Sequence, residues 1–208
     1  VFISSSAAYP PTGGRPVTER EMFNADPVDV YFSVAWMKRY AEILCRTYAT
    51  KIRAPMSTLI VRPSNIYGPY DKFDFATSHV TAAIIRRVVE RHDPLEIWGS
   101  GQEVRDLIYI SDFLDGLMLA VNKCEFYDVV NICSGVGVTI KEILETALEV
   151  SKFGDANILF NPDRPSTIPV RLIDGSRARI RLGFESKVGL AEGLDNTLNW
   201  YRDNPYVG

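Results

Sequence analysis

The stretch Ser57-Thr-Leu-Ile-Val-Arg-Pro-Ser-Asn-Ile-Tyr-Gly-Pro69 decides the fold class of this chain. Its first part, residues 57–62, is a β-branched run that predicts a short buried strand. The segment from Ser64 to Phe75 is predicted to be an irregular loop after that strand. In open α/β sheets, ligands bind just beyond the carboxyl ends of the strands. Side chains of this loop are therefore binding-site candidates, and Asn65 offers both a donor and an acceptor.

Strands and helices alternate along the rest of the chain, which predicts an α/β fold with parallel pairing. The predicted strands are 1–5, 57–62, 95–98, 106–110 and 129–133, with short ones near Ile158 and Val170. The predicted helices are 29–48, 77–91, 111–122, 139–150 and 190–202. Because the first strand has no lead-in, we expect the chain to be the C-terminal part of a larger domain.

The bulk properties exclude several classes of partner. The chain has 208 residues, of which 46% are hydrophobic, and a net charge of −3, so no basic surface favours nucleic acid or an anionic membrane. No apolar run reaches the ~18 residues of a membrane span, and no signal-peptide pattern is present. Cys45, Cys124 and Cys133 have no patterned spacing, which favours buried free thiols and a cytoplasmic location.

Ser5 and Tyr31 form the first candidate constellation. A tyrosine hydroxyl, with an ordinary pKa of about 10, becomes a proton shuttle only where nearby positive charge favours the phenolate. A serine hydroxyl beside it can polarise a substrate hydroxyl or carbonyl. Four residues after Tyr31, on the same helical face, a lysine would complete this relay, but the chain has Ala35. The alternative is that Tyr31 is an ordinary packing residue.

The segment Trp98-Gly-Ser-Gly-Gln-Glu-Val-Arg-Asp106 is the second candidate. A Gly-rich turn beside Arg105 suits close approach to a phosphate, because a guanidinium fork matches phosphate oxygens. The alternative for Arg105 is a surface ion pair. Asp112 is predicted to be the N-cap of the helix that follows.

Taken in order, these blocks resemble one known family. They are Ser4-Ser-Ser-Ala-Ala-Tyr-Pro10, Pro27 with Tyr31, Arg62-Pro-Ser-Asn-Ile-Tyr-Gly-Pro69, Trp98-Gly-Ser-Gly101 with Arg105-Asp106, Asn131-Ile-Cys-Ser-Gly135, and Leu190 to Leu194 before Trp200-Tyr201. Over essentially its whole length the chain resembles the extended short-chain dehydrogenase/reductase family, the NAD-dependent nucleotide-sugar epimerases and dehydratases. The block Tyr67-Gly-Pro-Tyr-Asp-Lys-Phe-Asp74, with Ser78-His-Val80, is most similar to the GDP-fucose synthases (GDP-4-keto-6-deoxymannose epimerase/reductases).

The resemblance implies three catalytic positions. Ser5 and Tyr31 match the residues that flank the sugar carbon exchanging hydride with the nicotinamide. His79 matches a histidine that serves as an acid/base or a sugar contact in the fucose synthases. From the residues alone, His79 is equally well explained as a capping or surface histidine.

The resemblance also implies a cofactor and a substrate class. NAD or NADP would be the cofactor, with Ser64, Asn65 and Ile66 lining its nicotinamide side. A nucleotide sugar would be the substrate, contacted by Asn65 and held at its diphosphate by Arg105. No metal site is implied, and family members commonly form homodimers. The apolar face formed by Trp36, Met37, Tyr40, Ile43 and Leu44 is wide enough to serve both core and partner.

Three departures from the family pattern bear on activity. The Gly-rich strand–turn–helix that holds the cofactor's pyrophosphate is not in this sequence. Ala35 stands where the lysine is expected, and Lys38 lies two turns beyond Tyr31, roughly 10 Å along the axis at ~1.5 Å per residue. Ala7 stands where fucose synthases carry an acid/base cysteine. The absence of carboxylates at residues 5–7 argues against dehydration, which leaves 4-epimerisation or 4-keto reduction.

These observations define a domain division and two function hypotheses. Residues 1–69 are expected to hold the final elements of a Rossmann-like dinucleotide-binding domain. Residues 70–208 are expected to form a smaller α/β substrate lobe, with some elements returning to the first domain. The leading hypothesis is an NAD(P)-dependent nucleotide-sugar epimerase or 4-keto reductase whose 208-residue chain is inactive by itself. The alternative is a non-catalytic relative that binds a nucleotide sugar or a protein partner.

Overall fold

The first sheet contains three parallel strands in the order β1-β2-β6. Strand β1 is Phe2–Ile3, β2 is Thr58–Pro63 and β6 is Tyr127–Ile132. All residues of β2 are buried, which explains its continuous β-branched and aliphatic run. The computed structural model describes residues 1–163 and 168–205 of the chain. Residues 164–167 and 206–208, which belong to the predicted lobe, lie outside the described residues.

A second sheet extends from the carboxyl end of β2. It contains β3 (Asn65–Tyr67), β5 (Val104–Tyr109), β7 (Gly137–Thr139) and β9 (Val170–Arg171), in the order β3-β5-β7 with β9 also paired to β5. Strands β4 (Leu95–Trp98) and β8 (Ile158–Asn161) form a separate parallel pair. All pairings are parallel except β5 with β7. The α/β fold with parallel sheets is therefore as predicted, apart from this one antiparallel pair.

Six α-helices among the described residues cover the sheets. They are α1 (Phe32–Thr50), α2 (Val80–Val89), α3 (Ile110–Lys123), α4 (Ile140–Ser151), α5 (Ser176–Leu182) and α6 (Leu190–Asp203). Helix α1 packs on β2, and α2, α4 and α6 pack on one another. Thr139 and Glu142 form a capping box at the start of α4. These helices bury three apolar clusters, of which the one around α2, α4 and α6 is the largest.

Several predicted element boundaries are wrong, and two of the errors concern the site. The helix predicted to start at Asp29 begins at Phe32, because Asp29–Tyr31 forms a 3-10 turn instead. Tyr31 therefore precedes the α-helix, with φ −107 and ψ 13. The loop predicted from Ser64 contains strand β3, which pairs with β5. Strand β7 and helix α5 were not predicted, because both are short and lack a clear hydrophobic period.

Asp112 is not the N-cap of α3, since Tyr109 holds that position. The Asp112 carboxylate instead accepts hydrogen bonds from Ser186 Oγ at 2.6 Å and from the amides of Lys187 and Val188. It therefore fixes the segment leading into α6. This long-range role has no signal in the local sequence around Asp112.

Helix α1 exposes much of its apolar surface. The predicted face of Trp36, Met37, Tyr40, Ile43 and Leu44 is between 38% and 65% exposed. The three cysteines are free, but only Cys133 is buried, whereas Cys45 and Cys124 are partly exposed. Among residues 1–163 and 168–205, no helix is long and apolar enough to cross a membrane.

Candidate active site

A cleft of about 480 Å³ lies where the two sheets meet, beyond the carboxyl ends of β1 and β2. This is the position at which open α/β sheets bind ligands. Its wall consists of residues 3–7, Tyr31, residues 63–71, His79, Arg105, Ile110 and Arg171. The cleft therefore brings together every predicted site residue from five separate parts of the chain.

Ser5 lies in the serine loop, residues 4–10, directly after β1. Its Oγ accepts a hydrogen bond from the amide of Ala7 at 3.1 Å and so caps the 3-10 turn Ser6–Ala8. Because this bond uses a lone pair, the hydroxyl hydrogen of Ser5 remains available to a ligand oxygen. The start of the loop is bound to strand β2, since the Ser4 amide donates to Val61 O at 2.8 Å.

Tyr31 and Ala35 differ in burial. Tyr31 is half-buried, lines the cleft and packs against the apolar cluster that contains Ala35. Ala35 is fully buried in an apolar cluster with Ala8, Tyr9 and Met22. Position 35 therefore faces the protein core and is unsuited to a charged amine.

Lys38 is the lysine of α1 that reaches the end of β1. Its Nζ donates a hydrogen bond to Ile3 O at 2.8 Å and lies 5.1 Å from the centre of the Phe2 ring. Helical side chains tilt toward the helix N-terminus, which is the end of α1 next to Tyr31. Lys38 itself is not among the residues that line the cleft.

Two buried arginines face the cleft from adjacent strands. Arg105 on β5 and Arg171 on β9 are register partners and are 7% and 5% exposed. The surface ion pair considered for Arg105 is therefore excluded. Burial lowers the pKa of both guanidinium groups, and interaction with Tyr31 opposes this change in both, which indicates that the Tyr31 hydroxyl is close to the pair. The short strand near Val170 was predicted, but Arg171 was missed because no local pattern indicated its pairing with Arg105.

The remaining wall is supplied by the segment after β2 and by the start of α2. Ser64, Asn65 and Ile66 line the cleft, with Asn65 half-buried. His79 is the exposed N-cap residue of α2, but its side chain makes no capping hydrogen bond. Asp71 lies on the same wall, and burial raises the pKa of its carboxyl group, against a smaller lowering by His79.

A buried polar network supports the serine loop from behind. The Tyr9 hydroxyl donates to Asn131 Oδ1 at 2.6 Å and accepts from Arg62 Nη1 at 2.9 Å. Arg62 also donates to both carboxylate oxygens of Glu42, at 2.9 and 2.5 Å. Although burial alone would lower it, the pKa of Arg62 is raised by these partners, and burial raises that of Tyr9. No local sequence pattern predicted the ends of this network, the Glu42 carboxylate and the Asn131 side chain.

The Ala8 carbonyl provides a further anchor for the same loop, because it accepts a hydrogen bond from Arg39 Nε at 2.9 Å. In the part of the chain that the structure describes, no group of three or more His, Cys, Asp or Glu side chains could hold a metal ion. The side chains that line this cleft offer hydroxyl groups, guanidinium groups, an amide, an imidazole and the carboxyl group of Asp71.

Comparison with known proteins gives this cleft a family context. The NAD dependent epimerase/dehydratase family matches residues 1–133. Probable GDP-L-fucose synthase 1 of Oryza sativa subsp. japonica is 31% identical over 211 residues, which cover 98% of this chain and 62% of the plant protein. GDP-L-fucose synthase of Escherichia coli (strain K12) is 26% identical over 221 residues, covering 98% of this chain and 66% of the bacterial protein. The chain thus spans less than two thirds of the length of these relatives.

Solved structures agree with the sequence relatives. UDP-glucose 4-epimerase from Thermotoga maritima, crystallised with UDP-glucose, superposes with a TM-score of 0.85 at 25% identity, covering 98% of this chain and 63% of that chain. MoeE5 in complex with UDP-glucuronic acid and NAD gives a TM-score of 0.80 at 26% identity, covering 97% and 64%. The predicted resemblance is therefore confirmed, and the chain belongs to the NAD-dependent epimerase/dehydratase family.

Proposed function

We propose that this chain binds a nucleotide sugar and moves protons at it, as part of an NAD(P)-dependent epimerase or 4-keto reductase. The observation that supports this most is the meeting of Ser5, Tyr31, Arg105 and Arg171 in one cleft. The cleft holds hydroxyl groups able to shift a proton, and the buried cations able to hold a diphosphate interact with one of them, Tyr31. The likeness to GDP-L-fucose synthases favours a nucleotide-linked sugar as the ligand.

The diphosphate is assigned to the two arginines. Guanidinium groups bind phosphate oxygens through paired N–H donors, and burial strengthens such bonds because water does not compete. Arg105 and Arg171 are buried side by side on β5 and β9. A diphosphate there would direct the sugar toward Ser5 and Tyr31 along the same cleft.

Proton transfer is assigned to Tyr31, assisted by Ser5 and Lys38. The Ser5 hydroxyl is oriented by the Ala7 amide and would donate to the sugar oxygen. Tyr31 would take the proton from that oxygen and return it, which requires positive charge nearby. Lys38, held at the end of β1, is proposed to supply that charge in place of a lysine at position 35.

The nicotinamide cofactor supplies a hydride acceptor and donor when it is bound. Ser64, Asn65 and Ile66 are proposed to contact its nicotinamide side, because they line the same cleft as Tyr31. The residues of this chain fit that end of the cofactor, and its sequence contains no Gly-rich pyrophosphate-binding turn.

Other assignments follow from the same cleft. His79 is proposed as a sugar contact or acid/base, since its imidazole is not used in capping α2. Ala7 carries no titratable group, which favours reaction at a single sugar carbon. The exposed apolar face of α1 is proposed as a homodimer surface, and the three free thiols favour the reducing cytoplasm.

The proposal is tested by titrating the 208-residue chain with GDP-fucose, UDP-glucose and NADH, followed by calorimetry and tryptophan fluorescence. Deuteride transfer from NADH labelled at C4 of the nicotinamide is then measured in the same protein with GDP-4-keto-6-deoxymannose, because the keto carbon accepts the deuteride and becomes an alcohol. Sugar binding with transfer supports the enzyme. Sugar binding without transfer favours the non-catalytic relative, and no sugar binding by the folded chain contradicts both.

Two lysine variants test the relay. Where transfer is observed, Lys38→Met is expected to slow it by about 10²–10⁴-fold, the usual scale of acid–base support. Ala35→Lys is expected to lower the free energy of unfolding by at least about 1–3 kcal/mol without a gain in transfer, because it buries an amine in an apolar cluster. Faster transfer in the Ala35→Lys variant would show that a lysine at position 35 supports proton transfer by Tyr31.

A further inference from the structure

Strand β9 holds a like charge against the strand it pairs with. Arg171 lies directly opposite Arg105 in the β5–β9 register, and both side chains are buried. Like charges on opposed positions destabilise strand pairing, and burial increases the cost because little water screens them. The Arg105 charge also lowers the pKa of Arg171, in addition to the larger effect of burial.

The clasp segment, Pro169–Asp174, is held by the β5–β9 ladder and by a bridge between Val17 and Ile173. Pro169 O accepts from the Val104 amide at 2.8 Å, and Leu172 O accepts from the Val17 amide at 3.3 Å. The Asp174 amide donates to Val17 O at 2.9 Å, and Asp174 O accepts from Asn131 Nδ2 at 3.1 Å. The repulsion between the two arginines opposes this docking.

Arg171 connects the clasp segment to the serine loop. Its Nη1 donates to Pro10 O at 3.3 Å, at the end of that loop. Its Nε and Nη2 are buried and have no hydrogen-bond partner among the described residues. Because buried donors are nearly always satisfied, these two N–H groups indicate a ligand acceptor in the cleft that Arg171 lines.

We propose that Arg171 is a positioning residue that couples anion binding to the serine loop. An anion bound between Arg105 and Arg171 offsets their repulsion and docks the clasp segment on β5. The docked Arg171 then fixes Pro10, and with it the loop that carries Ser5. The inference rests on the proposed function, because it takes the bound anion to be a phosphate group of the ligand.

The test is amide hydrogen exchange on the 208-residue chain, with inorganic pyrophosphate as the probe in phosphate-free buffer. Without pyrophosphate, the amides of Val17, Val104 and Asp174 are expected to exchange faster than that of Thr58, which bonds Phe126 O within the first sheet. With pyrophosphate at ten times its dissociation constant, linkage predicts about tenfold slower exchange at the amides of Val17, Val104 and Asp174, called the clasp amides below. The Met56 amide, bonded to Tyr48 O beyond α1, is the control and stays unchanged.

Two variants separate repulsion from structure. Arg171→Met removes the like charge. The clasp amides are therefore expected to exchange slowly without pyrophosphate, and pyrophosphate should not change their exchange rate. Arg171→Lys keeps the charge, so the response persists with weaker pyrophosphate affinity. Should Arg171→Met not fold, the wild-type titration still decides. Pyrophosphate binding without slower clasp exchange overturns this inference alone, whereas no binding at all also contradicts the diphosphate site of the proposed function.

Discussion

Buried charge is compensated differently in two regions of the molecule, the network behind the serine loop and the arginine pair in the cleft. Arg62 is paired with Glu42 and also bonds Tyr9, so its charge is satisfied within the protein. Arg171 is equally buried, but two of its donor groups have no partner among the described residues. The difference distinguishes a charge that stabilises the fold from one that is available to a ligand. Removing the partner of each should therefore affect different measurements.

The largest effect is expected from Glu42→Gln. This change leaves Arg62 buried without its counter-charge, so the free energy of unfolding should fall by about 3–5 kcal/mol. Urea unfolding measures the change. Glu145→Gln is the matched control, because its exposed pair with Lys141 at 3.6 Å should contribute no more than about 1 kcal/mol. Equal losses of unfolding free energy in Glu42→Gln and Glu145→Gln would mean that the buried pair stabilises the fold no more than the exposed one.

Arg105→Gln should weaken nucleotide-sugar binding by about 1.5–3 kcal/mol, the range of a hydrogen bond to a charged group. Because the change also relieves repulsion with Arg171, the free energy of unfolding should not fall in parallel. Calorimetry and urea unfolding on the same variant measure the two quantities. The exposed Arg53 provides the control, since Arg53→Gln should leave affinity unaltered. Unchanged affinity in Arg105→Gln would remove this residue from the ligand site.

Tyr9→Phe should lower the free energy of unfolding by about 1–3 kcal/mol, because the Asn131 side-chain oxygen loses its buried donor. Thermal or urea unfolding measures the loss. Tyr40→Phe removes a hydroxyl from a side chain that is 62% exposed and serves as the control. A neutral Tyr9→Phe would mean that the network is satisfied without this hydroxyl group.

The smallest effect concerns pH. Burial raises the pKa of Glu19, whose carboxylate accepts from the Asn131 amide at 2.8 Å. The stability contribution of a group whose folded pKa is raised is present below its unfolded value, here 4.5, and is lost as pH rises through the folded value. Wild-type protein should therefore lose stability relative to Glu19→Gln above pH 4.5. An unchanged difference between the two proteins across pH 4.5 to 7 would contradict this sign.

The strong local patterns allowed much of the fold to be predicted from sequence. Strand β4 was placed correctly and helix α4 to within one residue at each end, because both are decided by neighbouring residues. The exact start of α1 was not, since Asp29–Tyr31 forms a 3-10 turn before it. Arg171 and strand β7 gave no usable signal, because both acquire their roles only by pairing with β5.

The sequence by itself determined the α/β class and the cleft's residue types, because hydrophobic period and turn chemistry act over short distances. It also supported Ser5, Tyr31, Asn65 and Arg105 as one set, through the order of the motifs. Only the tertiary structure decided that Ala35 faces the core, that Lys38 reaches Ile3, and that Arg171 opposes Arg105. These are contacts between distant segments, and their energies depend on burial and register that no local pattern encodes.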